Sequence, residues 1–432
     1  MAETAQASRA RRATAQTHSS VTCPFCSILC DDLEISNTDG SLRIEANTCP
    51  RARAGFERPP SAATPLIGTR PASLDKAVAA AAKLIKSARH PLFGGLATDV
   101  AGMRAILALA DRTGGVVDHM LGDGMYRNIL AMQERGWMMT TLTELRNRAD
   151  LVVFCGLDVG NDHPRFYERY IWNKESMFEL DPRSRELVYL GKGLNTEAGV
   201  SPGGRQPQHL KNEPERLIEV IGALRSLLAG TPIQTRKVAG VAVRDLEKLI
   251  DRIKAARYAV FVWSPPRLAF PAADITVAGI CDLVKELNQY TRCSGLALGG
   301  NEGIITAGAV CAWQSGYQLR VDFGRGYPEY DPTLNSTARL LESGDADLLV
   351  WVSNFNPDLR PPQTKVPTVV LAPPPAAADR SYDIYVPVAV PGLDHAGQMV
   401  RVDNVVSLPL HQVRQSALPS VATVMQSLLN HL

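Results

Sequence analysis

Short uninterrupted apolar runs recur along the chain, and each stops at a turn former. Leu151-Val-Val-Phe-Cys155 ends at Gly156, and Tyr258-Ala-Val-Phe-Val-Trp263 runs into Ser-Pro-Pro. Asp347-Leu-Leu-Val-Trp-Val352 and Val366-Pro-Thr-Val-Val-Leu371 follow the same plan. A strand covered on both faces reads as a continuous apolar run, which is what a parallel sheet between two helical layers requires. The segments between the runs carry helical signals. Ser73 is a candidate N-cap with Asp75 in the first turn, predicting a helix to about Arg89, and Glu213 to Leu228 predicts another. The alternation predicts βαβ units and a doubly wound α/β fold. In such sheets ligands sit beyond the carboxyl ends of strands where the topology reverses, so the loops after Cys155, Trp263 and Val352 are the expected seats for a nucleotide-type ligand.

At 432 residues the chain exceeds one compact core, so two or three units are expected. Residues 59 to 72 contain four prolines and form a plausible boundary, with a compact cysteine-bearing unit over 21–60 before it. The first 20 residues are rich in Ala, Thr, Ser and Arg, with Glu3 the only acid. They permit an organelle transit peptide and lack the apolar core of a secretory signal; their low hydrophobicity favours a disordered tail. Charged residues make up 21% of the chain and formal net charge is +2, which leaves no field to recruit nucleic acid or an anionic membrane. No apolar run reaches the roughly 18 residues of a membrane span. Residues 77–85 come nearest, and Lys83 interrupts them; a surface helix with an alanine face is the expectation there.

Eight cysteines in a chain of this length do not form a disulfide scaffold. Cys155, Cys281, Cys293 and Cys311 are scattered in apolar surroundings and read as buried structural thiols. The other four are clustered as Cys23-Pro-Phe-Cys26-Ser-Ile-Leu-Cys30, with Cys49-Pro50 following. A four-thiolate set suits zinc or a [4Fe–4S] cluster. The three-plus-one spacing favours the cluster, since zinc ligands usually come as two close couples. Phe25, Ile28 and Leu29 would shield it. A disulfide between two of these cysteines stays open on spacing alone.

Cys-x2-Cys-x3-Cys followed by Asp31-Asp32 resembles the N-terminus of the B subunit of formylmethanofuran dehydrogenase. The likeness continues through Ala131-Met-Gln-Glu134, Thr143 to Val153, and Gly156 to His163-Pro164-Arg165. Its most specific block is Trp313-Gln-Ser-Gly-Tyr317 with Val321-Asp-Phe-Gly-Arg-Gly-Tyr-Pro328, and it ends at Ile384 to Gly392 and Arg401-Val-Asp-Asn404. The resemblance implies a small Fe–S domain over 21–60 and two α/β domains of molybdopterin-oxidoreductase type. Their expected ranges are 61–160 with 345–432, and 161–344, after a tail over 1–20. It implies Cys23, Cys26, Cys30 and Cys49 as metal ligands and a cytoplasmic location.

The family holds tungsten or molybdenum through a cysteine followed by a histidine, before the helix that carries Ala131-Met-Gln-Glu134. Here that place falls at or near Gly124, and no cysteine lies between Cys49 and Cys155. An expected Arg-Gly-His run is replaced near Gly299 and Asn301. A thiolate sets metal affinity and potential, and glycine offers no ligand. An arginine aimed at developing charge is worth about 100-fold or more in rate. Asp123 is adjacent and stays open as a substitute ligand.

No catalytic residue is therefore expected, and the molybdopterin or tungstopterin cofactor is expected to be absent. A relict pterin pocket would comprise His163, Arg165, Asp181, Arg183, Arg325, Asp403 and Asn404. For His163 a structural hydrogen bond is the stronger alternative, and for Arg325 and Tyr327 a packed turn is the alternative. His119 with Asp118 and Asp123 is weak evidence of a metal site and reads as packing or solvated residues. These departures resemble the B subunit of the formyltransferase/hydrolase complex of methylotrophic bacteria. That likeness implies a non-redox role alongside A, C and D homologues, and a polyglutamyl furan-type carrier, with no nucleic-acid or membrane partner. The alternatives are an active molybdenum or tungsten dehydrogenase component and an electron-transfer module that uses only the cluster.

Overall fold

A computed structural model describes residues 16–178, 180–374 and 382–432. The apolar runs form strands as their patterns predict. Leu151–Cys155, Glu186–Leu190, Gln208–Leu210, Ala259–Trp263 and Cys293–Ala297 build a five-stranded sheet that is parallel throughout. A nine-stranded sheet has five parallel strands at its centre, in the order Val116–Val117, Pro91–Ala97, Leu348–Ser353, Thr368–Ala372 and Ile384–Pro387. Short antiparallel strands close both of its edges. Successive residues of a strand face opposite layers. Accordingly Phe93, Val350 and Val369 enter one core, and Leu92, Leu349 and Val370 the other.

Helices cover these faces. Ser73 caps Leu74–Ser87 by accepting from the Lys76 amide, as the sequence implies. The C-terminal helix Val421–Asn430 packs on that helix and on Val100–Thr113. The helix Gly122–Arg135 leaves the nine-stranded sheet and packs on Ala273–Leu287, against the other sheet. Among the described residues no helix is long and apolar enough to cross a membrane.

Two sequence expectations need correction. Residues 16–20 belong to the strand Gln16–Val21, which pairs antiparallel with Leu33–Thr38, so the tail expected over 1–20 does not extend that far. Its first 15 residues lie outside the described ones. The strand Leu151–Cys155, expected with 61–160, hydrogen-bonds in the five-stranded sheet, and Val321–Asp322 joins the nine-stranded one. An apolar run fixes that a strand is buried; its sheet is decided by a partner far away in the chain.

The N-terminal unit is a three-stranded antiparallel sheet, Gln16–Val21, Leu33–Thr38 and Ser41–Ala46, followed by the helix Pro50–Phe56. It is tied into the larger body. The Ser27 amide donates to Asn301 Oδ1 at 3.0 Å, and the Val402 amide donates to the Ser27 carbonyl at 2.9 Å.

Candidate functional site

The loop Cys23–Cys30 is closed by the Cys23 amide donating to the Cys30 carbonyl at 2.8 Å, with Leu29 N–H on Cys26 O at 3.0 Å inside it. Cys49 stands at the N-cap of Pro50–Phe56, where its sulfur accepts from the Ala52 amide at 3.4 Å. Pro50 suits the first helical position because it has no N–H to leave unpaired. These two local structures bring all four sulfurs to the wall of one small cavity, with Ile28, Leu33 and Ala52 as apolar lining.

All four cysteines are free thiols, so the disulfide alternative does not hold in this structure. Among the described residues no three His, Cys, Asp or Glu side chains converge on one point as a single ion requires. The four thiols line one cavity, and the ligands of a four-iron cluster each hold a different iron around such a space. Four thiolate donors suit a [4Fe–4S] cluster or zinc. Burial pushes Cys23 well up, Cys26 to about 12 and Cys30 to about 11, so metal binding here would release protons. Arg169 and Arg165 oppose that rise at Cys30.

Those arginines belong to the segment after Leu151–Cys155. Arg165 is buried and binds Asp32 in two parallel contacts of 2.7 and 2.8 Å. Arg169 reaches Asp31 at 2.7 Å and Asp32 at 2.6 Å. His163 Nδ1 lies 3.2 Å from the Cys26 sulfur, and burial holds its ring down to about 4. Of the seven residues expected in a relict pterin pocket, His163 and Arg165 thus serve the cysteine unit.

The other five are not brought together. Asp181 caps the short 3-10 turn Pro182–Ser184 through the Arg183 amide, and Arg183 is exposed. Arg325 is exposed and pairs with Glu329 at 3.1 Å. The Asp403 carboxylate accepts from the Leu142 amide at 2.9 Å and from Arg401 at 2.7 Å. Asn404 is an exposed turn residue with φ of 57°.

The position expected for the heavy-metal ligand carries no donor and is tightly packed. Gly124 is buried in the helix Gly122–Arg135, and a Cβ there would meet Pro266 Cγ at 3.1 Å. A Cβ at Gly299 would meet Ile305 Cδ1 at 2.5 Å. Asn301, where a histidine was expected, spends its carboxamide oxygen on the Ser27 amide. The Asp123 side chain is 78% exposed and paired with Arg320, so it turns to solvent and does not enter the interior beside Gly124. These side chains do not fit a metal-bearing pterin centre.

A cleft of about 410 Å³ opens at the carboxyl edge of the nine-stranded sheet, lined by Asp118, His119, Leu121, Asp123, Arg320 and Trp351 among others. The loop after Val352 reaches it through Leu359 and Pro362, as the sheet rule anticipates. The loops after Cys155 and Trp263 serve the cysteine unit and the Gly124 contact instead. Trp351 is 4% exposed, and among the described residues its indole N–H has no partner. Sequence reasoning missed this residue, because a tryptophan within an apolar run reads as core.

His119 has a packing role. Its Nε2 donates to the Glu302 carbonyl at 2.9 Å and its Nδ1 accepts from the Leu121 amide at 3.0 Å, which fixes a neutral ring. Burial lowers it to about 4. The unfolded chain takes up this proton below about pH 6.5 and the folded chain only near 4, so stability falls as pH drops through that window. The expected loss is about 2 kcal/mol between pH 7 and pH 5. Urea denaturation at both pH values checks this; His119→Gln should shrink the difference by about that amount, and an unchanged difference would refute the assignment.

No protein-family model matches the chain. It is 28% identical over 402 residues to the B subunit of the tungsten-containing formylmethanofuran dehydrogenase 2 of Methanocaldococcus jannaschii, covering 89% of this chain and 91% of that one. It is 30% identical over 291 residues to the B subunit of the formyltransferase/hydrolase complex Fhc of Methylorubrum extorquens, covering 66% and 73%. In fold it matches a chain from the crystal structure of the FhcABCD complex of Methylorubrum extorquens with methylofuran. The TM-score is 0.72 at 24% identity, over 85% of this chain and 98% of that chain.

Proposed function

The chain belongs to the family of formylmethanofuran dehydrogenase B subunits, and from that premise we propose that it is the non-redox B subunit of a formyltransferase/hydrolase complex. Its partners are A, C and D homologues and a furan-type carrier. The complex passes a formyl group from formyl-tetrahydromethanopterin to the carrier and hydrolyses it to formate. Neither step changes the oxidation level of the formyl carbon, so no electron has to enter or leave. A protein inherited from a dehydrogenase can then lose its metal centre and keep its shape. The observation that carries this reading is Gly124, which supplies no ligand atom and packs tightly against Pro266, where a Cβ would stand 3.1 Å from Pro266 Cγ.

In this reading the chain acts as a scaffold. Its cysteine unit is clamped to the α/β body by Arg165 and Arg169 on Asp31 and Asp32, and by Asn301 on Ser27. Cys23, Cys26, Cys30 and Cys49 would hold a [4Fe–4S] cluster, which supplies one-electron transfer when bound and ties the strand loop to the helix Pro50–Phe56 in any case. The second reading, an electron-transfer module, rests on those four thiols lining one cavity. In this reading the two α/β sheets correspond to molybdopterin-type domains that have lost their metal.

Gly124→Cys tests the tightly packed position directly. Overpacking against Pro266 should cost about 1–3 kcal/mol. The purified complex, with either residue, should show no dye-linked oxidation of formate or of the formyl-carrier. Dye reduction by the wild type would defeat the proposal.

A further inference from the structure

A second cavity lies where the end of the N-terminal unit meets the C-terminal segment, and nothing in the scaffold role uses it. It holds about 50 Å³ and is lined by Arg58, Ser61, Asp394, Arg414 and Ser416, with a proline rim that includes Pro59 and Pro373. That is space for about four waters, or for one carboxylate group with a short stem.

The charges lining it do not cancel. Arg414 is buried, and its Nε lies 2.8 Å from Asp394 Oδ1 while its Nη1 donates to the Arg58 carbonyl at 3.0 Å. Asp394 is committed further, since its other oxygen accepts from the Val390 amide at 2.9 Å. Arg58 is half-buried. Among the described residues its guanidinium has one hydrogen bond, to the Phe355 carbonyl at 3.3 Å, and no carboxylate within ion-pair distance. Asp358 and Glu302 also face Arg58 electrostatically, and neither lines the cavity. Burial lowers the Arg58 pKa, and Arg414 beside it adds to that, while Asp358, Asp394 and Glu302 oppose it. Two guanidiniums and one carboxylate line the wall, and Asp358 and Glu302 act on Arg58 from outside it.

We propose that this cavity binds one small monocarboxylate anion, of formate or acetate size, between the guanidiniums of Arg58 and Arg414. The planar fork of an arginine matches the two oxygens of a carboxylate. The hydroxyls of Ser61 and Ser416 are further donors on the wall. Asp394 disfavours a dianion, and a cavity of about 50 Å³ suits a short acid. The site stands apart from the thiol cavity and from the cleft at Trp351, so it holds or fails independently of the scaffold reading.

The probe is acetate labelled with carbon-13 at the carboxyl, observed by NMR in the presence of the intact complex. The wild type is expected to broaden the resonance. Arg58→Gln should weaken binding by about tenfold or more, the effect of a lost charge-assisted contact. Arg58→Lys keeps the charge but not the fork and should fall in between. Equimolar phosphate should displace acetate poorly. No broadening by the wild type, equal broadening by Arg58→Gln, or ready displacement by phosphate overturns the proposal. If Arg58→Gln fails to fold, the phosphate competition and Arg58→Lys still decide it.

Discussion

Replacing Arg185 by methionine is expected to lower the unfolding free energy by about 4 kcal/mol or more. Arg185 is fully buried and has no ion-pair partner among the described residues. Backbone carbonyls take the place of a carboxylate. Its Nε donates to Ala149 O at 2.6 Å, its Nη2 to Leu145 O at 3.3 Å and to Arg146 O at 3.0 Å. Its Nη1 donates to Tyr170 O at 3.1 Å and to Ile171 O. The first three carbonyls end the helix Leu142–Arg148, and the other two end the turn Tyr167–Ile171. Two carboxyl-terminal dipole ends therefore converge on one guanidinium, which is how an unpaired charge stays buried. Burial still brings it down to about 10. Methionine fills the space and leaves the carbonyls unsatisfied, each at about 1–3 kcal/mol before relaxation. Arg185→Lys should recover part of the loss, since an ammonium has three donors but no fork. Urea denaturation measures both variants, and a loss under about 1 kcal/mol for methionine would show that the carbonyls find other partners.

Cys23→Ala should remove the iron and the brown colour of the purified complex to background, if the four thiols hold a cluster. Cys155→Ala, a buried thiol within the five-stranded sheet, should retain both. Arg165→Ala should give a graded result. It frees Asp32 and takes a cation from beside Cys30. Losing such an outer contact typically lowers metal affinity about 10–100-fold. Iron analysis and visible absorbance read out all three variants. Equal iron in Cys23→Ala and wild type would remove the cluster from the account and leave the thiol cavity as packing.

The parts of this molecule that depend on neighbouring residues were legible in its sequence. The cap at Ser73, the buried runs at Leu151–Cys155 and Ala259–Trp263, and the thiol loop Cys23–Cys30 each rest on spacings of a few residues. What needed long-range contact was not legible. Arg165 read as a cofactor contact because it follows a strand end, and His163 as a structural hydrogen-bonding residue of unknown partner; they meet Asp32 and Cys26 more than a hundred residues earlier in the chain. Arg185 sits in Asp-Pro-Arg-Ser-Arg, which looks like an exposed polar turn. Only the convergence of two helix ends explains its burial. The empty ligand position is the reverse case. The glycine at 124 was visible as a missing sulfur, while Pro266 packed against it was not.

Tungsten and molybdenum content of the intact purified complex bears most directly on whether this chain has kept a redox centre. The account predicts neither metal above background, whatever the iron content, because position 124 offers no donor atom and lies tight against Pro266. Either metal approaching one atom per chain would contradict it.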